Sequence, residues 1–144
     1  TCALPIFACA FAISKAMVNS GVADAVARFI IGMSHHYGPH VLLAAVFIIT
    51  NLFTELITNN AAAALAFPLA LSISSQMGVS PMPFFVVICM AASASFSTPI
   101  GYQTNLIVQG IGNYKFTDFV RIGLPLNIIT FLISIFLIPL IWPF

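Results

Sequence analysis

Charged residues are scarce in this chain of 144 residues. Asp, Glu, Lys and Arg together make up 5% of the sequence, and none of them lies between Glu55 and Lys115. A soluble domain stays in solution because roughly a quarter of its residues are charged. Since 61% of the residues are hydrophobic as well, the composition excludes an ordinary soluble protein and predicts an integral membrane protein.

The sequence also lacks a basic surface and any pair of Cys residues with metal-ligand or redox spacing. Four Lys and Arg residues in the whole chain exclude an electrostatic surface for nucleic acid. The three Cys residues stand singly in apolar stretches, which predicts small buried side chains rather than a disulfide framework. His35, His36 and His40 have no Cys or acidic residue beside them, so a solvated loop is preferred over a metal site.

Long apolar segments separated by short polar breaks predict an all-α integral membrane fold, because a bilayer core needs about 20 residues of helix. Residues 1–144 are interpreted as one membrane domain, a fragment, since Thr1 already lies in an apolar stretch. The predicted segments are the end of a transmembrane helix at 1–20, an interfacial amphipathic helix at 22–37, a transmembrane helix at 40–53, a re-entrant helical hairpin at 54–77, a broken transmembrane helix at 81–112 and the last transmembrane helix at 121–142.

The hairpin is predicted from a polar cluster that follows the apolar run VLLAAVFIITNLF. The cluster consists of Thr54, Glu55, Thr58, Asn59 and Asn60. Only 24 residues separate Thr54 from the turn at Gly78, too few for two full membrane crossings. A hairpin tip at Thr58 to Asn60 therefore fits better. Non-helical backbone inside a membrane is tolerated where it is buried in protein or lines a wet cavity, so the tip indicates such a cavity.

A second polar interruption lies in the middle of the apolar stretch from 84 to 112. Its polar and helix-breaking residues are Ser97, Thr98, Pro99, Gly101, Tyr102, Gln103, Thr104 and Asn105. Pro99 removes a backbone donor and Gly101 permits unusual dihedral angles, so a helix broken near the bilayer midplane is predicted. The N-terminus of a half-helix attracts an anion, and unwound carbonyl groups attract Na+.

Two uncharged polar islands of this kind indicate the midplane binding site of a secondary transporter, with no catalytic residue and no organic cofactor. Because no Lys or Arg is at hand, helix dipoles and bound cations would balance the charge of an anion, which favours sodium coupling. One alternative is that the polar residues only bond neighbouring helices together. Others are a proton-coupled or exchanging carrier in which Glu55 takes the proton, or a channel or non-transporting scaffold.

The segments TELITNNAAAALAFPLA, TPIGYQTNLIVQG and DFVRIGLPLN resemble the second repeat of the divalent anion/sodium symporter family. That family comprises sodium-coupled dicarboxylate, citrate and sulfate carriers. The resemblance implies two inverted repeats, of which this chain is the C-terminal half, with one site completed by the N-terminal repeat. It also implies a small anionic substrate, Na+ as coupling ion, a homodimer, and a multi-pass protein in the lipid bilayer of the cell (inner) membrane.

The same resemblance implies roles for individual residues. Thr58, Asn59 and Asn60 stand where the family has Ser-Asn-Thr. The sodium ligands it implies are Thr54, Asn59 and the carbonyl groups of Ile57 and Gly101. The substrate-binding residues it implies are Thr58, Asn59, Asn60, Tyr102, Gln103, Thr104 and Asn105. Tyr102 stands where dicarboxylate carriers tend to have a smaller Thr, so a smaller anion such as sulfate is a plausible substrate.

Overall fold

The computed structural model describes residues 3–33 and 38–144. These residues form helices joined by short connections, with no strand in the described ranges, and the predicted all-α fold is confirmed. The helices are α1 (Ala3–Asn19), α2 (Val22–Met33), α3 (Gly38–Leu56), α4 (Asn59–Met77), α5 (Met82–Ser93), α6 (Gln103–Gly112) and α7 (Phe116–Ile141).

The core lies between α3, α4 and α5. Helix α3 packs against both other helices, α7 packs against α3 and α5, and α1 and α2 pack against α4. The largest fully buried apolar side chains of this core are Leu42, Leu43, Phe47, Ile73, Phe84 and Val87. Helix α6 contributes no buried residue. The core therefore fixes the ends of α3, α4 and α5 relative to one another.

Two of the described helices, α3 and α7, are long and apolar enough to span a bilayer. Helix α7 has 26 residues, which corresponds to about 39 Å at 1.5 Å per residue. Much of its apolar surface faces outward, as at Phe136 and Leu140, which are 68% and 80% exposed. Large exposed apolar surfaces are typical of contact with lipid or with another protein segment. The membrane crossing predicted for the other segments stays a prediction.

The boundaries around the polar cluster differ from the predicted ones. Helix α3 continues through Thr54 and Glu55 to Leu56, Ile57 and Thr58 are not helical, and α4 then runs unbroken to Met77. Segment 54–77 therefore holds the end of one helix and the whole of the next, and the pair that packs together is α3 and α4. The Ala-rich start of α4 explains this, because Ala is the best helix former and sustains a full helix. Partial entry of the pair into the membrane stays a prediction.

The predicted broken helix at 81–112 corresponds to two helices with a non-helical connection. Helix α5 ends at Ser93 and α6 begins at Gln103, and residues 94–102 between them are named the linker. The linker contains Pro99, whose ring cannot continue a helix. The prediction that α5 and α6 form a single interrupted membrane crossing is not tested by this geometry and stays a prediction.

Helix α7 begins at Phe116, five residues before the predicted start of the last helix at 121. The backbone N–H of Lys115 donates a hydrogen bond to Asp118 Oδ2 at 2.9 Å. An acidic side chain in the first turn also offsets the partial positive charge of the helix N-terminus. Residues 116–120, which the predicted start at 121 left outside the helix, are therefore its first residues.

Part of the predicted segment 22–37 lies outside the described residues, as do His35, His36 and residues 1 and 2. Within the described part, α2 ends at Met33. His40 lies in the first turn of α3, where its ring packs edge-on against Phe144 with centroids 5.1 Å apart. The described residues contain no group of three or more His, Cys, Asp or Glu side chains that could hold a metal ion.

Gly123 marks a close approach between α7 and the linker. A Cβ atom at this position would lie 2.0 Å from the Phe96 carbonyl oxygen. The neighbour is backbone and cannot rotate away, so Gly123→Ala is expected to destabilise the full-length protein by about 1–3 kcal/mol through overpacking. The melting temperature of the purified protein should fall accordingly. Gly32→Ala is the matched control, because nothing lies within 4 Å of its added Cβ. Equal melting temperatures for the two variants would contradict the packing of α7 on the linker.

Candidate functional site

Four helix ends meet beside the break between α3 and α4: the C-terminal ends of α3 and α5 and the N-terminal ends of α4 and α6. Thr54, in the last turn of α3, lies 2.7 Å from the carbonyl oxygen of Ala92 near the end of α5. Gly101, just before α6, lies against the Thr54 carbonyl. Helix C-termini carry partial negative charge and helix N-termini partial positive charge. The same place therefore offers two ends that attract a cation and two that attract an anion.

The cation-attracting part is built around the Thr54 side chain, which is fully buried. Its Oγ1 lies 2.7 Å from Asn59 Oδ1 and 2.7 Å from the Ala92 carbonyl oxygen. A hydroxyl group has one hydrogen and can donate to only one of them at a time. We name these three atoms the oxygen cluster. A hydroxyl oxygen that lies 2.7 Å from each of two other oxygens, with only its own hydrogen to donate, is part of a donor set that fits a hard cation such as Na+.

Gly101 permits the approach of the linker to the end of α3. An added Cβ would lie 2.2 Å from Ser95 Oγ, 2.3 Å from the Thr54 carbonyl oxygen and 3.2 Å from Glu55 Cα. No side chain fits into this space without moving backbone atoms of α3. The structure thus brings together three of the predicted sodium-binding residues, Thr54, Asn59 and Gly101. The fourth, Ile57, lies in the non-helical break, and the ligand role of its carbonyl group stays a prediction.

Side chains of the linker satisfy the free carbonyl groups at the end of α3. Ser95 Oγ donates to the Thr54 carbonyl at 3.2 Å, and Thr98 Oγ1 donates to the Glu55 carbonyl at 2.7 Å. The last carbonyl groups of a helix have no partner within it, and capping by side chains is one way to satisfy them. The end of α3 and the linker are therefore joined and are expected to move together.

Two Asn side chains, one on α3 and one on α6, donate hydrogen bonds to carbonyl groups of the linker. Asn51 Nδ2 donates to the Ala94 carbonyl at 2.6 Å, where α5 ends. Asn105 Nδ2 donates to the Ser95 and Thr98 carbonyl groups at 3.1 and 3.3 Å. Asn105 was expected to contact the anion, whereas in the structure its amide hydrogens hold the linker. Direct contact of Asn105 with the anion stays a prediction.

The anion-attracting part consists of the first turns of α4 and α6. Thr58 caps α4, since its Oγ1 accepts a hydrogen bond from the Ala61 N–H at 3.4 Å. The first N–H groups of both helices have no partner within their own helix. The predicted substrate-binding side chains Asn60, Tyr102, Gln103 and Thr104 are exposed. Among the described residues, no side-chain hydrogen bond joins these four to the oxygen cluster, so they remain available to a ligand.

Glu55 is the only Asp, Glu, Lys or Arg residue between Arg28 and Lys115, and it is 8% exposed. Its Oε1 accepts hydrogen bonds from the Ser97 N–H at 2.9 Å and from Asn127 Nδ2 at 2.8 Å. Its Oε2 has no hydrogen-bond partner among the described residues. The carboxyl group is thus enclosed by protein, beside the oxygen cluster but pointing to α7.

Sequence reasoning missed several groups that build this site, among them Asn51, the Ala92 carbonyl and Asn127. A backbone carbonyl gives no signal in a sequence. Asn51 and Asn127 are single polar residues within apolar helices, and a polar residue in a membrane helix is a general signal for helix contacts or function. That signal could have identified both residues, although not their partners.

A cavity of about 860 Å³ lies elsewhere, between the linker, α6 and α7. Its lining includes Asn105, Tyr114, Asp118 and Arg121, but neither Thr54, Asn59 nor Gly101. The lining is otherwise mostly apolar. The converging helix ends and the oxygen cluster, rather than the cavity, therefore define the candidate site.

An apolar, all-helical chain in which polar helix ends converge on one buried site has the features of a membrane transport protein. The chain belongs to the citrate transporter family, whose sequence model matches residues 3–143. The chain therefore belongs to a family of transporters rather than of enzymes.

Individual relatives support the same assignment. The chain is 43% identical over 126 residues, 88% of its length, to a protein of Escherichia coli named "Uncharacterized transporter YfbS". It is 38% identical over 132 residues, 91% of its length, to the "Probable sodium/sulfate cotransporter 3" of Chlamydomonas reinhardtii. It is 25% identical over 143 residues, 97% of its length, to the "Sodium-dependent dicarboxylate transporter SdcS" of Staphylococcus saprophyticus.

The chain spans 20%, 15% and 27% of the lengths of these three relatives. The names of the second and third relatives confirm the resemblance to sodium-coupled carriers of small anions that the motifs indicated.

Proposed function

We propose that the full-length protein is a secondary transporter that couples the entry of Na+ to the uptake of a small anion, sulfate or a di- or tricarboxylate, by alternating access. The observation that carries this proposal is the oxygen cluster at the C-terminal ends of α3 and α5, directly beside the N-terminal ends of α4 and α6. Opposite helix ends at one place suit a cation and an anion together.

The proposed coupling follows from the absence of basic side chains. No Lys or Arg lies between Arg28 and Lys115, so no fixed cation is available in this segment to hold the anion. An Na+ bound at the oxygen cluster would supply that charge. It would also hold Thr54, Asn59 and the Ala92 carbonyl together, and thereby order the first turn of α4. Sodium would therefore bind first and prepare the anion site.

Sulfate is the preferred substrate within this proposal. The bulky side chain of Tyr102 lies directly before the first turn of α6 and is 48% exposed, which leaves less room for a long dicarboxylate. Relatives named sodium/sulfate cotransporters are 36–38% identical to the chain, whereas a relative named a sodium-dependent dicarboxylate transporter is 25% identical.

The proposed setting is a multi-pass protein of the cell membrane in which an N-terminal inverted repeat contributes the other half of the site, with two copies forming a homodimer. The small share of the relatives' length that the chain covers supports a contribution from further segments. The apolar outer surface of α7 supports contact with lipid.

Uptake of labelled sulfate, succinate and citrate by the full-length protein in proteoliposomes tests the proposal. We expect sulfate to accumulate only under an inward sodium gradient, with choline as the control cation. Accumulation of succinate or citrate instead would change the substrate. Uptake driven by a pH gradient without sodium would contradict sodium coupling and favour a proton-coupled carrier. Flux that neither saturates nor follows a second ion would indicate a channel.

A further inference from the structure

Helix α7 contributes one polar side chain that reaches the candidate site. Asn127 Nδ2 lies 2.8 Å from Glu55 Oε1 and 2.8 Å from Ser97 Oγ. The next polar residue, Thr130, donates to the Leu126 carbonyl of its own helix. Asn127 is therefore the side chain that joins the last helix to the end of α3 and to the linker.

The three residues form a closed network. Glu55 Oε1 accepts from Asn127 Nδ2 and from the Ser97 N–H, and Ser97 Oγ accepts from the same Asn127 amide. Glu55 and Ser97 are each 8% exposed. The network therefore links the direction of the Glu55 side chain to the position of the linker at Ser97.

A second contact one turn earlier on the same face of α7 supports this arrangement. Gly123 lies four residues before Asn127, and its Cα faces the carbonyl of Phe96, the residue before Ser97. Residues four apart in a helix lie on one face. Helix α7 thus contacts the linker at two successive turns, through the backbone at Gly123 and through the amide at Asn127.

The network does not have the composition of a purely stabilising contact. Glu55 Oε2 and Asn127 Oδ1 are buried and have no hydrogen-bond partner among the described residues. Unpaired buried acceptors lower stability, and in native proteins they call for a functional or strain-related explanation. An apolar pair would hold α7 against α3 without this penalty, so the orientation of the carboxyl group is the property that the network maintains.

We propose that Asn127 is a positioning residue for the cation site, acting through Glu55 and Ser97 without contacting the ion. Glu55 follows Thr54 of the oxygen cluster directly, and the Glu55 carbonyl accepts from Thr98 of the linker. The Glu55 side chain holds the linker at the Ser97 N–H, and the same linker lies against the Thr54 carbonyl through Ser95 and Gly101. A displaced Glu55 side chain therefore loosens the linker beside Thr54. The cation site as such rests on the proposed function, and this inference adds α7 to the parts that control it.

Removal of the Asn127 side-chain amide should mainly lower the affinity for sodium. In the full-length protein, Asn127→Ala is expected to raise the K0.5 for sodium about tenfold, the lower end of the loss seen when groups that orient a metal site are removed. Vmax per molecule in the membrane should change less. Thr130→Val is the matched control on the same helix, and its K0.5 should equal that of the wild type. A lower Vmax or protein level with unchanged K0.5 would mean that Asn127 only stabilises the fold, and would overturn the inference.

Exchanging the carboxyl group of Glu55 and the amide group of Asn127 shows whether Asn127 positions Glu55 or whether its substitution only disturbs the packing of α7. Asn127→Asp places a carboxylate against Glu55 and should weaken sodium binding more than Asn127→Ala, because like charges in contact repel. Adding Glu55→Gln to Asn127→Asp restores one amide and one carboxylate at the same contact. We expect this double variant to recover most of the wild-type K0.5. A double variant no better than Asn127→Asp would contradict the inference.

The inference can be tested even if the proposed function is wrong. If wild-type uptake is independent of sodium, the proposed function fails, and the KM for the transported anion is measured in Asn127→Asp and in the double variant instead. Recovery of KM in the double variant would still support Asn127 as a positioning residue of the site, and absence of recovery would overturn it.

Discussion

Gly101→Ala is expected to abolish uptake by the full-length protein while the protein still reaches the membrane. The added Cβ would lie 2.2 Å from Ser95 Oγ and 2.3 Å from the Thr54 carbonyl oxygen. Since the second neighbour is backbone, either the linker or the end of α3 must move. A displacement of about 1 Å at a site that depends on placement can reduce the rate about a hundredfold, so transport should fall by at least that factor.

The control for this variant is Gly110→Ala on α6. A Cβ at Gly110 meets nothing within 4 Å, and the substitution otherwise has the same chemistry. Uptake of labelled anion in proteoliposomes, normalised to the amount of protein, measures both variants. Transport by Gly101→Ala at the level of Gly110→Ala would mean that the approach of the linker to Thr54 is not needed for function.

Thr54→Val is expected to weaken sodium binding by about tenfold or more without unfolding the protein. Valine has nearly the shape of threonine but lacks the oxygen that lies 2.7 Å from Asn59 Oδ1 and from the Ala92 carbonyl. Leaving such buried partners unpaired costs about 1–3 kcal/mol, and each 1.4 kcal/mol corresponds to about a tenfold change in affinity. The sodium concentration that gives half-maximal uptake should rise accordingly.

Thr50→Val provides a closely matched control for this substitution. Thr50 lies one turn earlier on α3, is equally buried, and donates to the Val46 carbonyl of its own helix. Each variant therefore removes one threonine hydroxyl from α3, and the two positions are equally buried. A similar sodium dependence in both would show that the hydroxyl of Thr54 has no special role, and the oxygen cluster would not be the cation site.

The sequence predicted the place of the site because polarity is rare in this chain. Thr54 and Asn59 stood out in an apolar sequence, and the structure places their side chains 2.7 Å apart. Gly101 was singled out because glycine permits unusual dihedral angles, whereas the structure gives it no left-handed φ and instead requires glycine for the close approach to the Thr54 carbonyl. Spacing alone did not indicate that the Ala92 carbonyl or Asn127 would take part, because these groups come from elements separated from Thr54 by 38 and 73 residues.

Helix boundaries were harder to predict than the site. The predicted end of the helix at Phe53 rested on the polarity of Thr54 and Glu55. Both remain helical because α5 provides a partner for the Thr54 side chain, and the linker and α7 provide partners for the Glu55 side chain. The start of α7 was placed too late, because the predicted start at 121 left out the first turn, in which Asp118 accepts a hydrogen bond from the Lys115 N–H. In both cases a polar side chain found a partner within the protein, which polarity alone does not reveal.

Equilibrium binding of the transported anion to the purified full-length protein, measured in sodium and in choline, tests the central claim most directly. A cation that prepares the anion site must increase anion affinity, and linkage between two bound ligands is typically about 5–150-fold. The account predicts that the wild-type protein binds the anion about 5–150-fold more tightly in sodium than in choline. This difference should be lost in Thr54→Val and retained in Thr50→Val. Equal affinity in sodium and choline for the wild-type protein would contradict it.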